Sequence, residues 1–299
     1  NVGGLKATIG RLFWMLFVLK FLKKNKSDFN VIHGCDLDGV FPAIIFKILF
    51  NRRVKVIFDV FDWYSDTLYN QNYFIRLVFK FMEWLSIKYT DELIICEPER
   101  IEQIPYKFKK KELLLPNIPS FSKYDFLSHD SKYLFNNNKI TISYVGGLYN
   151  ERYLQELFDF ARSGKVNLLL GGYGDKTLED EANNLNEFQN VQYFGKVPYQ
   201  KGLNIMFNSD LIYAAYASTN KNNIYAAPNK YYEAMLLGKP IISNKGTILS
   251  EKIRINNTGY LIDENSFDLN SFIEHLNLDD SLEKGKIASK QWNDNFKSY

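Results

Sequence analysis

The chain has 299 residues, with 46% apolar and 24% charged side chains. At about 150 residues per domain this is enough for roughly two domains, and the balance excludes disordered, collagenous and coiled-coil classes. The formal charge of +3, from 37 Lys and Arg against 34 Asp and Glu spread along the chain, gives no reason to expect a nucleic-acid partner. The 24 Phe and 20 Tyr accompany a chain rich in Asn, Lys and Ile and carry little functional weight. Two cysteines, Cys35 and Cys96, are too few for a disulfide framework or a zinc site, so a reducing, cytosolic setting is the default.

Lys6 and Arg11 precede the apolar run Leu12 to Leu19, which has the outline of a signal peptide. Lys20, Lys23, Lys24 and Lys26 follow without a small-residue cleavage site, and the run is well short of the roughly 20 residues that span a bilayer. A basic amphipathic helix from about Lys6 to Lys24 is expected. It either lies on an anionic membrane surface or packs against a sheet, and packing is favoured because most apolar helix faces are core.

Short apolar runs then alternate with helical patterns, as in βαβ units with a parallel sheet between helix layers. Strands are expected at Asn30 to His33, Val54 to Phe58, Glu92 to Cys96 and Glu112 to Leu115, and helices at Val40 to Phe50 and Phe74 to Ile87. From Asn117 to Asn138 the pattern fades into a polar linker. A second series follows, with strands at Ile140 to Val145, Val166 to Leu170, Val191 to Phe194, Leu211 to Ala214, Pro240 to Ser243 and Tyr260 to Ile262. The turns Gly146-Gly147 and Gly171-Gly172-Tyr173-Gly174 are expected to close the first two. Helices are expected at Arg152 to Ala161, Leu178 to Asn186, Gln200 to Phe207, Lys230 to Leu237 and Phe267 to Leu276, with a last one from Ser281 into Trp292. The architecture this implies is two doubly wound α/β domains in tandem, with ligands at the carboxyl ends of the strands.

The most informative stretch runs from Ala227 to Ile242, Ala-Pro-Asn-Lys-Tyr-Tyr-Glu-Ala-Met-Leu-Leu-Gly-Lys-Pro-Ile-Ile. Pro228 starts a helix and Gly238 ends it. Taken alone, Glu233 reads as a surface carboxylate favoured by the helix dipole. The segment resembles the retaining glycosyltransferases of glycosyltransferase family 4, which have the GT-B fold, through Pro228, Lys230, Glu233, Ala234, Met235, Gly238 and Pro240. Tyr144-Val145-Gly146-Gly147-Leu148, Leu169 to Gly174 and Val191 to Gly195 resemble donor-domain segments of the same family. In the first half so do Val31-Ile32-His33, Asp59-Val60-Phe61-Asp62 and Leu115-Pro116-Asn117.

The resemblance implies an α/β chain of two Rossmann-like domains facing across a cleft. An acceptor-side domain would occupy 1–125, a donor domain 126–285, and a C-terminal helix at 286–299 would cross back to the first domain. It implies that Glu233 holds the ribose hydroxyls of a nucleotide sugar. Gly146, Gly147 and Arg152 would meet the diphosphate, with Gly172, Gly174, Pro228, Asn229 and Lys230 completing the donor site. Asp59 and Asp62 would edge the acceptor side. No catalytic residue, metal or cofactor is assigned; the donor would be UDP- or GDP-linked. The acceptor would be a cell-surface polysaccharide, lipopolysaccharide or lipid-linked glycan, reached from the cytoplasm with peripheral membrane contact. Members usually begin with an initiator Met, a strand and a glycine-containing loop, none of which precedes Asn1, so roughly 50 to 80 residues of the first domain are expected to be absent.

The chain departs from the pattern at three positions. Tyr225 stands where members carry a second carboxylate, which leaves donor-sugar contacts to the backbone around Tyr225 to Ala227; Gly147 replaces an arginine; Phe61 replaces a histidine before Asp62. These departures favour, as the alternative, a non-catalytic sugar-nucleotide-binding or assembly subunit. An epimerase or phosphorylase-like enzyme on the same scaffold lacks the paired carboxylates and histidines it would need. Asp36-Leu37-Asp38 looks like a metal motif of the other glycosyltransferase fold but reads as an exposed turn. Gly172-x-Gly174 half-matches a dinucleotide fingerprint and lacks its acid. His33, His129 and His275 appear scattered, without a Cys or carboxylate at ligand spacing.

Overall fold

The computed structural model describes residues 5–68, 71–104, 112–119, 127–133, 135, 137–266 and 268–297. Two compact units emerge, one of residues 1–116 with 220–225, the other of 117–219 with 226–299. Part of the expected linker between Asn117 and Asn138, the proposed boundary at 125 and the first residue of the expected helix at Phe267 lie outside the described residues.

The first unit contains α1 (Leu5–Lys24), β1 (Val31–Cys35), α2 (Asp36–Leu49), β2 (Lys55–Val60), α3 (Tyr64–Thr67), α4 (Tyr73–Tyr89), β3 (Glu92–Ile95), a 3-10 turn at Pro98–Gln103 and β4 (Leu113–Leu114). The sheet runs β1-β2-β3-β4, every pair parallel. Parallel strands are covered on both faces by their crossover helices, so they read as β-branched apolar runs. Val56, Phe58, Leu93 and Ile95 form the core with Val40, Ala43, Ile44 and Phe46 of α2. Helix α2 begins four residues before the expected Val40: Asp36 is half-buried at its start, and its Oδ1 accepts from the backbone N–H of Phe61 (2.9 Å) and Asp62 (3.1 Å). The Asp36-Leu37-Asp38 stretch is therefore the first turn of a helix tied to the end of β2, not an exposed turn.

The second unit contains β5 (Thr141–Leu148), α5 (Leu154–Arg162), β6 (Asn167–Gly174), α6 (Lys176–Leu185), β7 (Val191–Tyr193), α7 (Tyr199–Phe207) and β8 (Leu211–Tyr213). After α8 (Lys221–Ile224), which belongs to the first unit, come α9 (Asn229–Leu237), β9 (Ile241–Asn244), α10 (Ile248–Asn256), β10 (Gly259–Ile262), α11 (Leu269–Glu274) and α12 (Leu278–Asn295). The sheet order β10-β9-β8-β5-β6-β7, all parallel, is doubly wound, and the order reverses between β5 and β8. In such sheets the crevice at that reversal, outside the carboxyl ends of the strands, is where ligands bind. Ala288 and Trp292 of α12 join the apolar cluster of Tyr231, Tyr232, Ala234 and Met235 on α9.

Candidate functional site

The carboxyl ends of β5 and β6 lie in register, Gly146 beside Gly172 and Leu148 beside Gly174. The expected turns at these glycines are continuations of the strands. Gly172 has φ +153°, and a methyl group placed on it would fall 1.8 Å from the Gly146 carbonyl oxygen. Only glycine lets the two backbones approach this closely. The Tyr144 hydroxyl donates to the Gly147 carbonyl at 2.5 Å.

Beyond β5 a 3-10 turn, Asn150–Arg152, ends in Tyr153 at φ +51°. The buried Tyr213 hydroxyl is hydrogen-bonded to the carbonyls of Arg152 (3.1 Å) and Tyr153 (3.0 Å), which fixes this bend. Arg152 is half-buried, with its guanidinium 4.0 Å from the Tyr216 ring centroid, a cation–π contact. Tyr216 is held by the fully buried Asn244, whose Oδ1 accepts from its N–H (2.7 Å) and whose Nδ2 donates to its carbonyl (2.9 Å). Glu264 accepts from the Ser218 backbone N–H (2.9 Å) and from the Tyr153 hydroxyl. Burial pushes the Glu264 carboxyl up, but hydrogen bonds from Ser218, Tyr153 and Asn244 outweigh it and leave it below its ordinary range.

On α9, Pro228 is the N-cap and Gly238, at φ +64°, the stop. The preceding Ala227 carbonyl accepts from Asn117 Nδ2 at 3.2 Å. Lys230 leans over Gly146: its Nζ lies 5.6 Å from the Tyr144 ring centroid and 2.9 Å from where a Gly146 Cβ would be. Tyr144 also feels Arg152. Burial and the neighbouring Tyr216 raise its hydroxyl pKa, while Arg152 opposes the rise. The structure thus gathers Gly146, Tyr144, Lys230 and Arg152 at the carboxyl end of β5, bordered by Gly172 and Gly174.

Glu233 is 4% exposed, so its reading as a surface carboxylate does not hold. It has no hydrogen bond or ion pair among the described residues, not even with Lys230 one turn earlier. Its carboxylate oxygens are not among the fully enclosed side-chain atoms that lack a partner, so they reach the surface of the second unit and are open to donors from a ligand. Asn229 is exposed at the start of the helix.

Asp59 and Asp62 stand in the first unit. Asp62 pairs with Arg100 at 3.1 Å. Arg100 is 2% exposed, and it also donates to the carbonyls of Phe61 and Tyr225, the latter at 2.9 Å. Asp59 Oδ2 is 3.0 Å from His33 Nε2, and with Cys35 these residues place three potential ligand atoms within 4.8 Å of one another. The sequence reading leaves His33 without a nearby cysteine or carboxylate, and strand geometry supplies both. His33 and Cys35 share one face of β1, and Asp59 is the register partner of Cys35 on β2. The i, i+2 spacing on a strand was the available signal. Arg100, Asn244 and Glu264 carry no motif, and sequence reasoning does not find them.

The family model for glycosyl transferases group 1 matches residues 125–296. No curated protein matches the sequence. Among solved structures, sucrose-phosphate synthase from Thermosynechococcus elongatus is 14% identical, with 93% of this chain and 73% of that one covered at a TM-score of 0.70. Anabaena HepE in complex with UDP and glucose is 14% identical, with 93% and 77% covered at 0.71. WaaG, a glycosyltransferase involved in lipopolysaccharide biosynthesis, is 15% identical, with 88% and 80% covered at 0.59. With more than half of its length matched by the family and its fold shared with these structures, the chain belongs to the glycosyl transferases group 1, enzymes of sugar transfer, and has the GT-B fold.

Proposed function

We propose that the chain is a retaining glycosyltransferase that moves a sugar from a UDP- or GDP-linked donor to a cell-surface polysaccharide, lipopolysaccharide or lipid-linked glycan. The observation that carries this reading is Glu233, a largely buried residue whose carboxylate oxygens reach the surface without a partner among the described residues, one helical turn from Lys230. A ribose diol would supply the two hydroxyl donors that such a carboxylate lacks. Lys230 and Arg152 would take the diphosphate, with backbone N–H groups near Gly146 and Gly147, and Gly172, Gly174, Pro228 and Asn229 would border the nucleotide. HepE, with its bound UDP and glucose, supports a nucleotide-sugar donor, and WaaG supports an envelope glycan acceptor.

In this reading the donor domain is 126–285, the acceptor-side domain 1–125 with Asp59 and Asp62 at its edge, and 286–299 a C-terminal segment that begins within α12. Catalysis rests on orientation and on the two cations that offset charge developing on the departing diphosphate. That diphosphate would take the acceptor's proton on the same face. The enzyme would work at the inner face of the cell membrane, where such acceptors are built. Tyr225, Gly147 and Phe61 favour the second reading, a binding or assembly subunit without turnover.

Calorimetric titration with UDP-glucose and GDP-mannose, beside an assay of nucleotide release with acceptor glycans, separates the two. Binding with release supports transfer; binding without release across a broad acceptor panel supports the subunit. Glu233→Ala is expected to abolish donor binding, and unchanged affinity in that variant would show that the site is misassigned.

A further inference from the structure

Strand β1 ends in His33-Gly34-Cys35, and burial alternates along it: Gly34 is buried, while His33 and Cys35 belong to the opposite face. Gly34 carries the packing of α2. A methyl group placed on it would lie 2.6 Å from the Val40 Cα and 2.9 Å from the Gly39 carbonyl carbon, so the start of α2 rests directly on the strand. These backbone contacts fix the end of β1, and with it the direction of the two flanking side chains. In the parallel ladder Cys35 pairs with Asp59, and register partners present their side chains on one face. A ring nitrogen of His33, the Cys35 sulfur and an Asp59 carboxylate oxygen thereby come within 4.8 Å of one another, with His33 Nε2 3.0 Å from Asp59 Oδ2. Strand register sets this convergence, whatever covers the face.

A histidine and an aspartate in contact are explained by their own hydrogen bond; the thiol beside them is not. No hydrogen bond takes up the Cys35 sulfur among the described residues. A thiolate, an imidazole and a carboxylate are together the ligand types of Zn²⁺, whose bonds of about 2.0 to 2.3 Å put the ligand atoms of a tetrahedral site about 3.3 to 3.8 Å apart. The 3.0 Å pair need only open slightly and the wider separations close by rotation of the side chains. Mg²⁺ and Ca²⁺ require oxygen ligands, so sulfur and nitrogen select against them. Asp36, next in the chain, commits its Oδ1 to the backbone N–H groups of Phe61 and Asp62, and among the described residues no fourth His, Cys, Asp or Glu joins the group. Three protein ligands and one open position are the pattern of a zinc site that meets an exogenous ligand. Its place suits that role, since open α/β sheets bind ligands at the carboxyl ends of their strands.

We propose that His33, Cys35 and Asp59 hold a Zn²⁺ ion at the carboxyl ends of β1 and β2, with one coordination position open to water or to an oxygen of a bound ligand. The site uses none of the residues assigned to the donor and its readout is the metal itself, so it stands or falls apart from the transferase reading. The intact chain is stripped of metal with a chelator under reducing conditions, exchanged into chelator-free buffer and titrated with Co²⁺, whose thiolate complexes absorb in the near ultraviolet by sulfur-to-metal charge transfer. The band is expected to saturate at one Co²⁺ per chain, to be displaced by Zn²⁺ and to be unmoved by a large excess of Mg²⁺. Cys35→Ser should remove it, whereas Cys96→Ser, at the other, buried cysteine, should keep it. His33→Ala and Asp59→Asn should each weaken Zn²⁺ binding, measured by competition with a chromophoric chelator, by at least about tenfold, the least that losing even an outer partner of a metal site costs. His33 and Cys35 are exposed, so these variants should keep the parent's circular dichroism. No charge-transfer band on the parent, or one that survives Cys35→Ser, overturns the proposal. So does unchanged Zn²⁺ affinity in both His33→Ala and Asp59→Asn, which would leave an ordinary histidine–aspartate hydrogen bond beside a cysteine that binds metal by itself.

Discussion

Lys230 and Glu233 sit three residues apart on α9, a spacing at which opposite charges ordinarily meet on one helix face. Here they do not pair. Lys230 leans over Tyr144 and Gly146, and Glu233 stays buried without a partner among the described residues. Two opposite charges held apart in this way suit a ligand that carries both hydroxyl donors and phosphate acceptors. Lys230→Ala should therefore weaken UDP-sugar binding by about tenfold to a hundredfold, the range for losing one charge-assisted bond, measured by calorimetry. Because Lys230 and Arg152 are assigned the diphosphate charge, nucleotide release should survive treatment with a chelator. Abolished release that added Mg²⁺ restores would transfer that role to a metal ion. The motif singled out Lys230 and Glu233 as candidates. Glu233's burial was not legible, because it depends on which side of α9 faces the cluster around Tyr231 and Met235 and on the packing of α12. Asn244 and Glu264, which hold the loop bearing Tyr216 and Ser218, are ordinary polar residues until the chain brings them there.

At the scale of elements, strand and helix positions were readable from period and β-branching, and their ends were not. The glycines after Val145 and Leu170 read as turns because glycine usually interrupts a strand. In the structure Gly172 is what allows β5 and β6 to continue side by side. Gly172→Ala should cost more than about 3 kcal/mol, since the added methyl meets the Gly146 carbonyl at 1.8 Å in a backbone conformation that only glycine adopts readily; urea unfolding measures it. Helix α10 was missed for a different reason. Its capping box is built from Thr247 and Ser250, with Ser250 Oγ accepting from the Thr247 N–H at 3.2 Å, and it lacks the Glu or Gln that usually marks such a start. Thr247→Ala should lower stability by about 1 kcal/mol in the same experiment; no change would mean that the cap is satisfied otherwise.

Across the whole molecule, one buried carboxylate couples stability to pH. Glu83 is 1% exposed on α4, and its Oε1 accepts from the Ser65 backbone N–H at 2.8 Å. Burial raises its pKa from 4.5 to about 7 despite the bonds from Ser65. With the folded value above the unfolded one, the folded chain holds the proton more tightly, so the stabilisation is full below about pH 4.5 and disappears as pH rises through about 7. The loss over that window is roughly 3 kcal/mol. Glu83→Gln keeps the acceptor oxygen and removes the titration, so its advantage over the parent should grow from about pH 5 to about pH 8 in chemical denaturation. A constant difference would show that Glu83 does not titrate in this window.

The alternation of βα units and the sugar-transfer family could be read from the sequence alone, because hydrophobic period and a short helix motif are local properties that survive without neighbours. Sheet order, the reversal between β5 and β8, and the meeting of Gly146, Lys230, Tyr144 and Arg152 belong to the tertiary structure. So does the two-sided apolar character of α1, in which Met15 and Leu22 are buried and Phe13 and Phe17 exposed. A sequence states how apolar a helix is, but only packing decides which of its side chains are buried within the described fold and which stay exposed.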